Sequence, residues 1–398
     1  MIKIEKDKKN MCCGCTACAN ICPKNAITME EDFEGFLYPK IDQTKCIDCG
    51  LCDNICPILN KDNTNDSKYQ KAYALQCKNK EILKTSTSGG FFTPLAEYII
   101  NDDGIVYGVG FDNKLKICHK AAESIEQIQE FRGSKYVQSY LGDIFKDVKN
   151  KLDLNKKVLF SGTPCQVEGL KKFLRKEYEN LITVDLICHG TPSPKLWKEY
   201  VKYQEDKYNS KIKNVYFRNK TYGYHSGTMK LVFENGKEYY GSARVDYMLK
   251  SFFSEISSRP SCYDCRFKTR NHISDITIYD CWSIEKLKKD IKDNDLGYTN
   301  IIVNSEKGNA LLDKIKDKFE IHTVDIDEQI KYDGIMVEKS ATPNIKRSEY
   351  YEGLNKDGID KNAKKYINVT KKDYIVEKTK SLLYKTKILY VLKNILKK

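Results

Sequence analysis

The sequence predicts a small cysteine-rich module followed by a larger α/β (α+β) domain with a mixed sheet, and three observations carry that expectation. Eight cysteines fall into two copies of one spacing between residues 12 and 56. Beyond residue 70, short apolar runs alternate with helical patterns, as in parallel strands joined by helices. Around 211 to 245 that alternation gives way to a hairpin pattern, and the stretch to about 340 is α+β in character.

Taken in order, residues 1–62 form the module, and the polar stretch KDNTNDSKYQK reads as a linker. The main domain is expected over 70–340. SGGFFTPLAEYIIND reads as a turn and helix, GIVYGVGF as a strand, and YLGDIFKDVKNKL as a helix. KVLFSG, QVEGLKKFLRKEY and LITVDLICHG continue as strand, helix and strand. TMKLVFENGKEYYGS is a hairpin turning at Asn235 and Gly236. Residues 341–398 form a basic, helical tail.

The 398 residues carry 16 cysteines and a net charge of +13. The opening MIKIEKDKKN has no apolar core of the signal-peptide kind, so the thiols are expected to be reduced and the protein cytoplasmic. No stretch approaches the roughly 18 apolar residues of a spanning helix, so it is expected to be soluble or peripheral. From Lys361 to Lys398 there are twelve lysines against only Asp373 and Glu377, which leaves the body close to neutral. A nucleic-acid groove would need basic residues across the folded body with stacking aromatics between them, so no nucleic-acid partner is expected.

Cys12, Cys15, Cys18 and Cys22, followed by Pro23, have the spacing C-x2-C-x2-C-x3-C-P, and Cys46, Cys49, Cys52 and Cys56, followed by Pro57, repeat it. Two such runs specify a bacterial ferredoxin with two 4Fe-4S clusters, each fourth cysteine crossing to the other cluster. One cluster should use Cys12, Cys15, Cys18 and Cys56, the other Cys46, Cys49, Cys52 and Cys22, with Cys13 spare. A pair of structural zinc sites would leave the Cys-Pro pairs unexplained. Two close clusters form a wire, and a cofactor trading one electron with iron and two with a substrate would be a flavin.

In the larger domain TSTSGGFF places Ser88, Gly89 and Gly90 at a turn ahead of a helix, where backbone N–H groups can hold a phosphate; a plain loop is the bland alternative. FRGSKYVQS puts Lys135 and Gln138 beside a small-residue turn, suited to an anionic or carbonyl edge or to an exposed loop with a salt bridge. FSGTPCQVEGLKKFL turns through Thr163 and Pro164 and presents Cys165 at a helix N-terminus, which lowers a thiol's pKa. Cys188 and His189 in DLICHGTPSP sit at a strand's carboxyl end, where open parallel sheets keep their sites. A buried structural thiol is the lesser alternative for each. Cys77 and Cys118 lack spaced partners and read as buried thiols.

Together SGGFFTPLAEYI, GIVYGVGF, FRGSKYVQS, VLFSGTPCQVEGLKKFL, LITVDLICHGTPSPKLW and SDITIYDCW resemble the coenzyme F-420 hydrogenase/dehydrogenase beta-subunit family of flavin and iron-sulfur oxidoreductases. With the ferredoxin module the likeness covers most of residues 10 to 340. It implies FAD, with Ser88, Gly89, Gly90, Ser134, Lys135 and Gln138 as contacts and Gly162 and Thr163 near the isoalloxazine or its phosphates. It also implies a third 4Fe-4S cluster, for which Cys165, Cys188 and the C-x-x-C of Cys262 and Cys265 supply four thiolates, with Cys281 a rival fourth ligand. A zinc site or redox dithiol is the alternative for the C-x-x-C. Where the family commonly reads G-D-x-W-G, this chain reads YDCWS, with Tyr279, Cys281 and Ser283, so the substrate pocket is expected to differ.

The leading functional expectation is hydride exchange between an F-420-like or other conjugated small molecule and FAD, with single electrons passing through the clusters to or from ferredoxin or a partner oxidoreductase subunit. His189 is a candidate proton donor, with Lys135 beside the same site. The competing readings are an electron-transfer subunit without its own substrate, and an accessory protein of a surface-polysaccharide pathway. TKSLLYKTKILYVLKNILKK reads as a helix packed on the body with solvated lysines, or as a peripheral contact with anionic lipid or an acidic partner.

Overall fold

The computed structural model describes residues 9–60 and 69–389; residues 61–68 of the expected linker at 61–71 and the last nine residues of the tail lie outside them, and Lys71, read as linker, begins a strand. The cysteine-rich module carries a small antiparallel ladder of β1 (Ile27–Glu31) and β2 (Leu37–Ile41) between two cysteine loops. Each loop ends in a short helix, Ala17–Ile21 and Leu51–Asn54.

The main domain is built on an eight-stranded sheet. Its strands are β3 (Lys71–Cys77), β4 (Ile105–Phe111), β5 (Ile117–Ala122), β6 (Val158–Gly162) and β7 (Leu181–Leu186). After β8 (Ile212–Asn219), β9 (Thr228–Phe233) and β10 (Glu238–Ser242) of a second sheet, β11 (Ile276–Cys281), β12 (Tyr298–Val303) and β13 (Phe319–Val324) complete it. The order is β13-β3-β12-β11-β7-β6-β4-β5. The four middle strands β11, β7, β6 and β4 run parallel, and both flanks are antiparallel, so the sheet is mixed.

The parallel strands read as continuous Val, Ile and Leu because both faces are covered. On one face the helix Phe92–Asn101 buries Leu95, Ala96 and Ile99 against Leu159, Val184 and Ile301. On the other, Ile144–Asp153 and Pro164–Leu174 bury Phe145, Val148, Val167 and Leu170 with Cys15 and Ala17 of the module. The module therefore shares a core with the larger domain.

The second sheet, in the order β10-β9-β8, contains the expected hairpin, and Gly236 has φ +80° at its turn. It packs with the helix Pro194–Tyr208 through Trp197 and Tyr200 and with Tyr350, Tyr351 and Leu354 from the tail. Helix Lys371–Lys385 is held to β10 by the buried Glu377, whose carboxylate accepts from the Ser242 N–H and hydroxyl at 2.8 and 2.6 Å. The described part of the tail is thus docked. Among the described residues no helix is long and apolar enough to cross a membrane.

Candidate functional site

The two cysteine loops have the same local geometry. Gly14 and Thr16 in the first, and Asp48 and Gly50 in the second, all have φ between +51° and +71°. These matched left-handed residues curl each loop back on itself, so its thiols face a common centre. Gly14 is required twice over, because a Cβ there would lie 2.6 Å from the Gln138 amide nitrogen.

The cysteines line three chambers. Cys12, Cys15, Cys18 and Cys56 surround one, and Cys22, Cys46, Cys49 and Cys52 surround another, so the fourth cysteine of each run stands with the other loop. Cys165, Cys188, Cys262 and Cys265 meet around a third, in the larger domain. Among the described residues no three His, Cys, Asp or Glu side chains converge on a single ion. The thiols stand around open chambers, as a cuboidal cluster requires.

The electrostatics fit that use. Burial, then neighbouring Cys12 and Cys56, pushes the Cys18 thiol well up. Cys188 is likewise raised by burial and by Cys262, Cys165 and Cys265, and Cys265 is pushed up to about 12 by burial and Cys165. Buried thiols that repel one another's charge cannot ionise together without a cation among them, so iron at their centre would supply the missing charge. Hydroxyls lie beside the sulfurs: Thr163 Oγ1 is 3.1 Å from Cys165 Sγ and Thr191 Oγ1 is 3.8 Å from Cys262 Sγ. Cys281 lies elsewhere, buried with Leu287 and Tyr298 and raised by burial and Asp333. Cys77 is buried, whereas Cys118 is partly exposed.

Beyond the third chamber a cavity of about 600 Å³ opens at the carboxyl ends of β6, β7 and β11. That is within the range of small-molecule and cofactor pockets, at the edge where parallel sheets bind ligands. Thr163, Gln166, Cys188, His189, Gly190 and Thr191 line both the cavity and the third chamber.

Ser88, Gly90, Ser134, Lys135, Gly162 and Thr163 line this cavity. Gly89 packs behind it, its Cα face against the Leu75 carbonyl and Thr299. Gln138 faces the third chamber instead: its Nε2 donates to the Cys13 carbonyl at 3.0 Å and its Oε1 accepts from Arg259 at 2.9 Å. Its amide is engaged in docking the module, and it does not line the large cavity. The Lys135 ammonium donates to the carbonyls of Glu130 and Arg132 at 2.7 and 3.2 Å, and burial brings it down to about 7. His189 stands on the shared wall with Nε2 hydrogen-bonded to Glu255 and its ring edge against Phe252. Tyr279 and Trp282 of the YDCWS segment line the cavity, and Cys281 and Ser283 do not.

Two arginines escaped the sequence reading. Arg218 on β8 pairs with Asp280 at 2.5 Å and lies 4.6 Å from the Trp282 ring, while its Nη2 is buried without a hydrogen-bond partner among the described residues. Arg259, fully buried, donates to the carbonyls of Cys12 and Leu37 at 2.7 and 2.9 Å. Neither has a local motif; their roles arise only when distant segments meet.

Residues 155–329 match the family described as the C terminus of the coenzyme F420 hydrogenase/dehydrogenase beta subunit, and residues 11–59 match the 4Fe-4S dicluster domain. Comparison with curated proteins found no match. Among solved structures the chain is similar to one from the F420-reducing [NiFe] hydrogenase complex of Methanosarcina barkeri, with 19% identity, a TM-score of 0.42, and coverage of 76% of this chain and 93% of that one. Residues 11–59 thus carry a 4Fe-4S dicluster domain that precedes a stretch matching the C terminus of the coenzyme F420 hydrogenase/dehydrogenase beta subunit, a pairing that supports iron-sulfur electron transfer.

Proposed function

We propose that the chain moves electrons between a hydride-exchanging small molecule in the large cavity and an external protein acceptor or donor, through FAD and three 4Fe-4S clusters. The observation that carries this reading is the order of the compartments. The cavity shares a wall with the third chamber, that chamber shares Cys13 and Ile58 with the Cys12 set, and the Cys12 set shares Cys52 with the Cys46 set. When bound, the flavin supplies two-electron exchange with a substrate and one-electron exchange with iron, and the clusters supply the one-electron path.

The residues divide that work. Cys165, Cys188, Cys262 and Cys265 hold the inner cluster, Cys12, Cys15, Cys18 and Cys56 the proximal one, and Cys22, Cys46, Cys49 and Cys52 the distal one. Cys49 is solvent-exposed, with the exposed Ile47 beside it, which suits the distal set to an electron partner such as ferredoxin or another oxidoreductase subunit. Ser88, Gly90, Ser134 and Lys135 hold the anionic part of FAD, with Gly162 and Thr163 at the end nearer the inner cluster. His189, fixed by Glu255, supplies a proton between cavity and inner cluster. Tyr279 and Trp282 shape the substrate end for a planar conjugated molecule. Sixteen free thiols and buried clusters suit a reducing, cytoplasmic setting.

The test is anaerobic purification with iron, acid-labile sulfide and released flavin quantified on one sample. About twelve irons and one FAD per chain are expected from three four-iron clusters and a flavin. About eight irons without flavin would leave only the dicluster module in use and would overturn the reading.

A further inference from the structure

A fifth thiol stands at the inner chamber. Cys13 reaches it from the dicluster module and also lines the proximal chamber, the one cysteine common to both among the described residues. Its side chain packs against the hydrophobic core group of Cys15 on the proximal side and shares a second such group with Cys165 on the inner side. Its backbone is fixed on both sides, the Cys13 carbonyl by Gln138 and the Cys12 carbonyl by Arg259. Each chamber already has four other thiols, Cys165, Cys188, Cys262 and Cys265 around one and Cys12, Cys15, Cys18 and Cys56 around the other, so Cys13 is surplus to both sets.

We propose that Cys13 is not a ligand but a shared positioning residue, whose single S–H stands between the ligand sulfurs of Cys15 and Cys165 as one shared, bifurcated donor and so ties the inner and proximal sites together across the domain boundary. The proposal rests on the reading that both sites hold 4Fe-4S clusters. Hydrogen bonds to ligand sulfurs stabilise the more negative, reduced cluster and raise its potential. One donor between two ligand sulfurs therefore supports the reduced state on both sides of the gap. Neither the distal set nor the flavin cavity touches it.

Cys13→Ala and Cys13→Ser variants of the full chain, prepared anaerobically, test this by iron analysis and by redox titration followed by electron paramagnetic resonance. In Cys13→Ala the iron content stays at the wild-type value, the inner and proximal potentials both fall, and the distal potential is unmoved. Cys13→Ser, which keeps a donor, moves both back toward wild type. Loss of four irons in Cys13→Ala would make Cys13 a ligand and overturn the proposal, as would unmoved potentials or an equal shift in all three clusters. A wild-type chain holding only eight irons would instead strike at the three-cluster reading, so the two failures are distinguishable.

Discussion

Arg259 and Cys12 meet across the boundary between the two parts of the chain: the guanidinium Nε donates to the Cys12 carbonyl at 2.7 Å with the arginine wholly buried. The same group holds Leu37 and Gln138 and lies 4.1 Å from the Tyr38 ring. Burial would lower its pKa, but Cys12, Tyr38, Cys13 and Cys262 outweigh that and raise it. A fixed cation thus faces the loop that begins the proximal cluster site. A second clamp, the bidentate pair of Arg347 with Glu34 at 2.7 and 2.5 Å, secures the far side of the module.

Replacing Arg259 by Leu is expected to leave three acceptors without their donor and to destabilise the docked module by about 3 kcal/mol or more. Arg259→Lys restores the charge but not the planar three-way fork, and should rescue only in part. Limited proteolysis and the rate of cluster bleaching at fixed temperature measure both. Equal resistance in wild type and Arg259→Leu would show that the clamp contributes little.

Iron analysis separates the two candidate fourth ligands of the inner site. Cys165→Ser is expected to lose about four irons per chain. Cys281→Ser should keep the full complement, because Cys281 is buried beside Asp333 and away from the other three thiols. The reverse pattern would transfer the ligand role to Cys281.

Lys135 gives the cavity a pH dependence of defined sign. Burial brings it down to about 7, so it is ammonium below that pH and neutral above. Affinity for phosphate-bearing FAD is expected to fall as pH rises through about 7, and Lys135→Met should flatten the profile. Stability of the flavin-free chain moves the other way. Unfolding returns the amine to about 10.4, so the unfolded chain binds more protons between the two values and stability rises with pH there. Lys220 is also brought down to about 7 by burial, but it is not among the residues that line the cavity. Lys220→Met should therefore change stability and leave the FAD profile in place. Flavin titrations at several pH values, read beside unfolding curves, resolve the two.

The ligand cysteines were legible because a cluster loop is local: four thiols within eleven residues carry their geometry in their spacing. The parallel core was legible for a related reason, since strands covered on both faces are apolar throughout. Gln138 was not, because its partner carbonyl at Cys13 lies 125 residues away. The strand KAYALQC beside the polar linker was equally opaque, as its antiparallel partners β12 and β13 come from the far end of the domain. Arg218 and Arg259 carry no neighbouring signal at all, and their functions exist only in the folded chain.

His189 tests the shared wall. With its ring held by Glu255 and Phe252, His189→Ala should keep iron and flavin at wild-type content. Loss of a positioned proton donor is expected to slow turnover about a hundredfold. Unchanged turnover would remove His189 from the mechanism, and loss of flavin would make it a binding residue.

Arg218 is expected to set what the Trp282 end of the cavity recognises. Its Nη1 is committed to Asp280 and its guanidinium faces the Trp282 ring, but Nη2 is buried with no partner among the described residues, a state that costs free energy unless a ligand oxygen completes it. Arg218→Gln would leave Asp280 unpaired and confuse the result, so Arg218→Lys is the cleaner change: the charge facing Asp280 remains and the second donor arm is lost. A charge-assisted hydrogen bond of about 1.5–3 kcal/mol corresponds to a rise in substrate KM of roughly ten- to a hundredfold. FAD content should stay at wild type, because the predicted flavin contacts lie on Ser88, Ser134 and Lys135. If Arg218→Lys loses FAD instead, Nη2 completes the flavin, and substrate recognition passes to the Tyr279 and Trp282 wall.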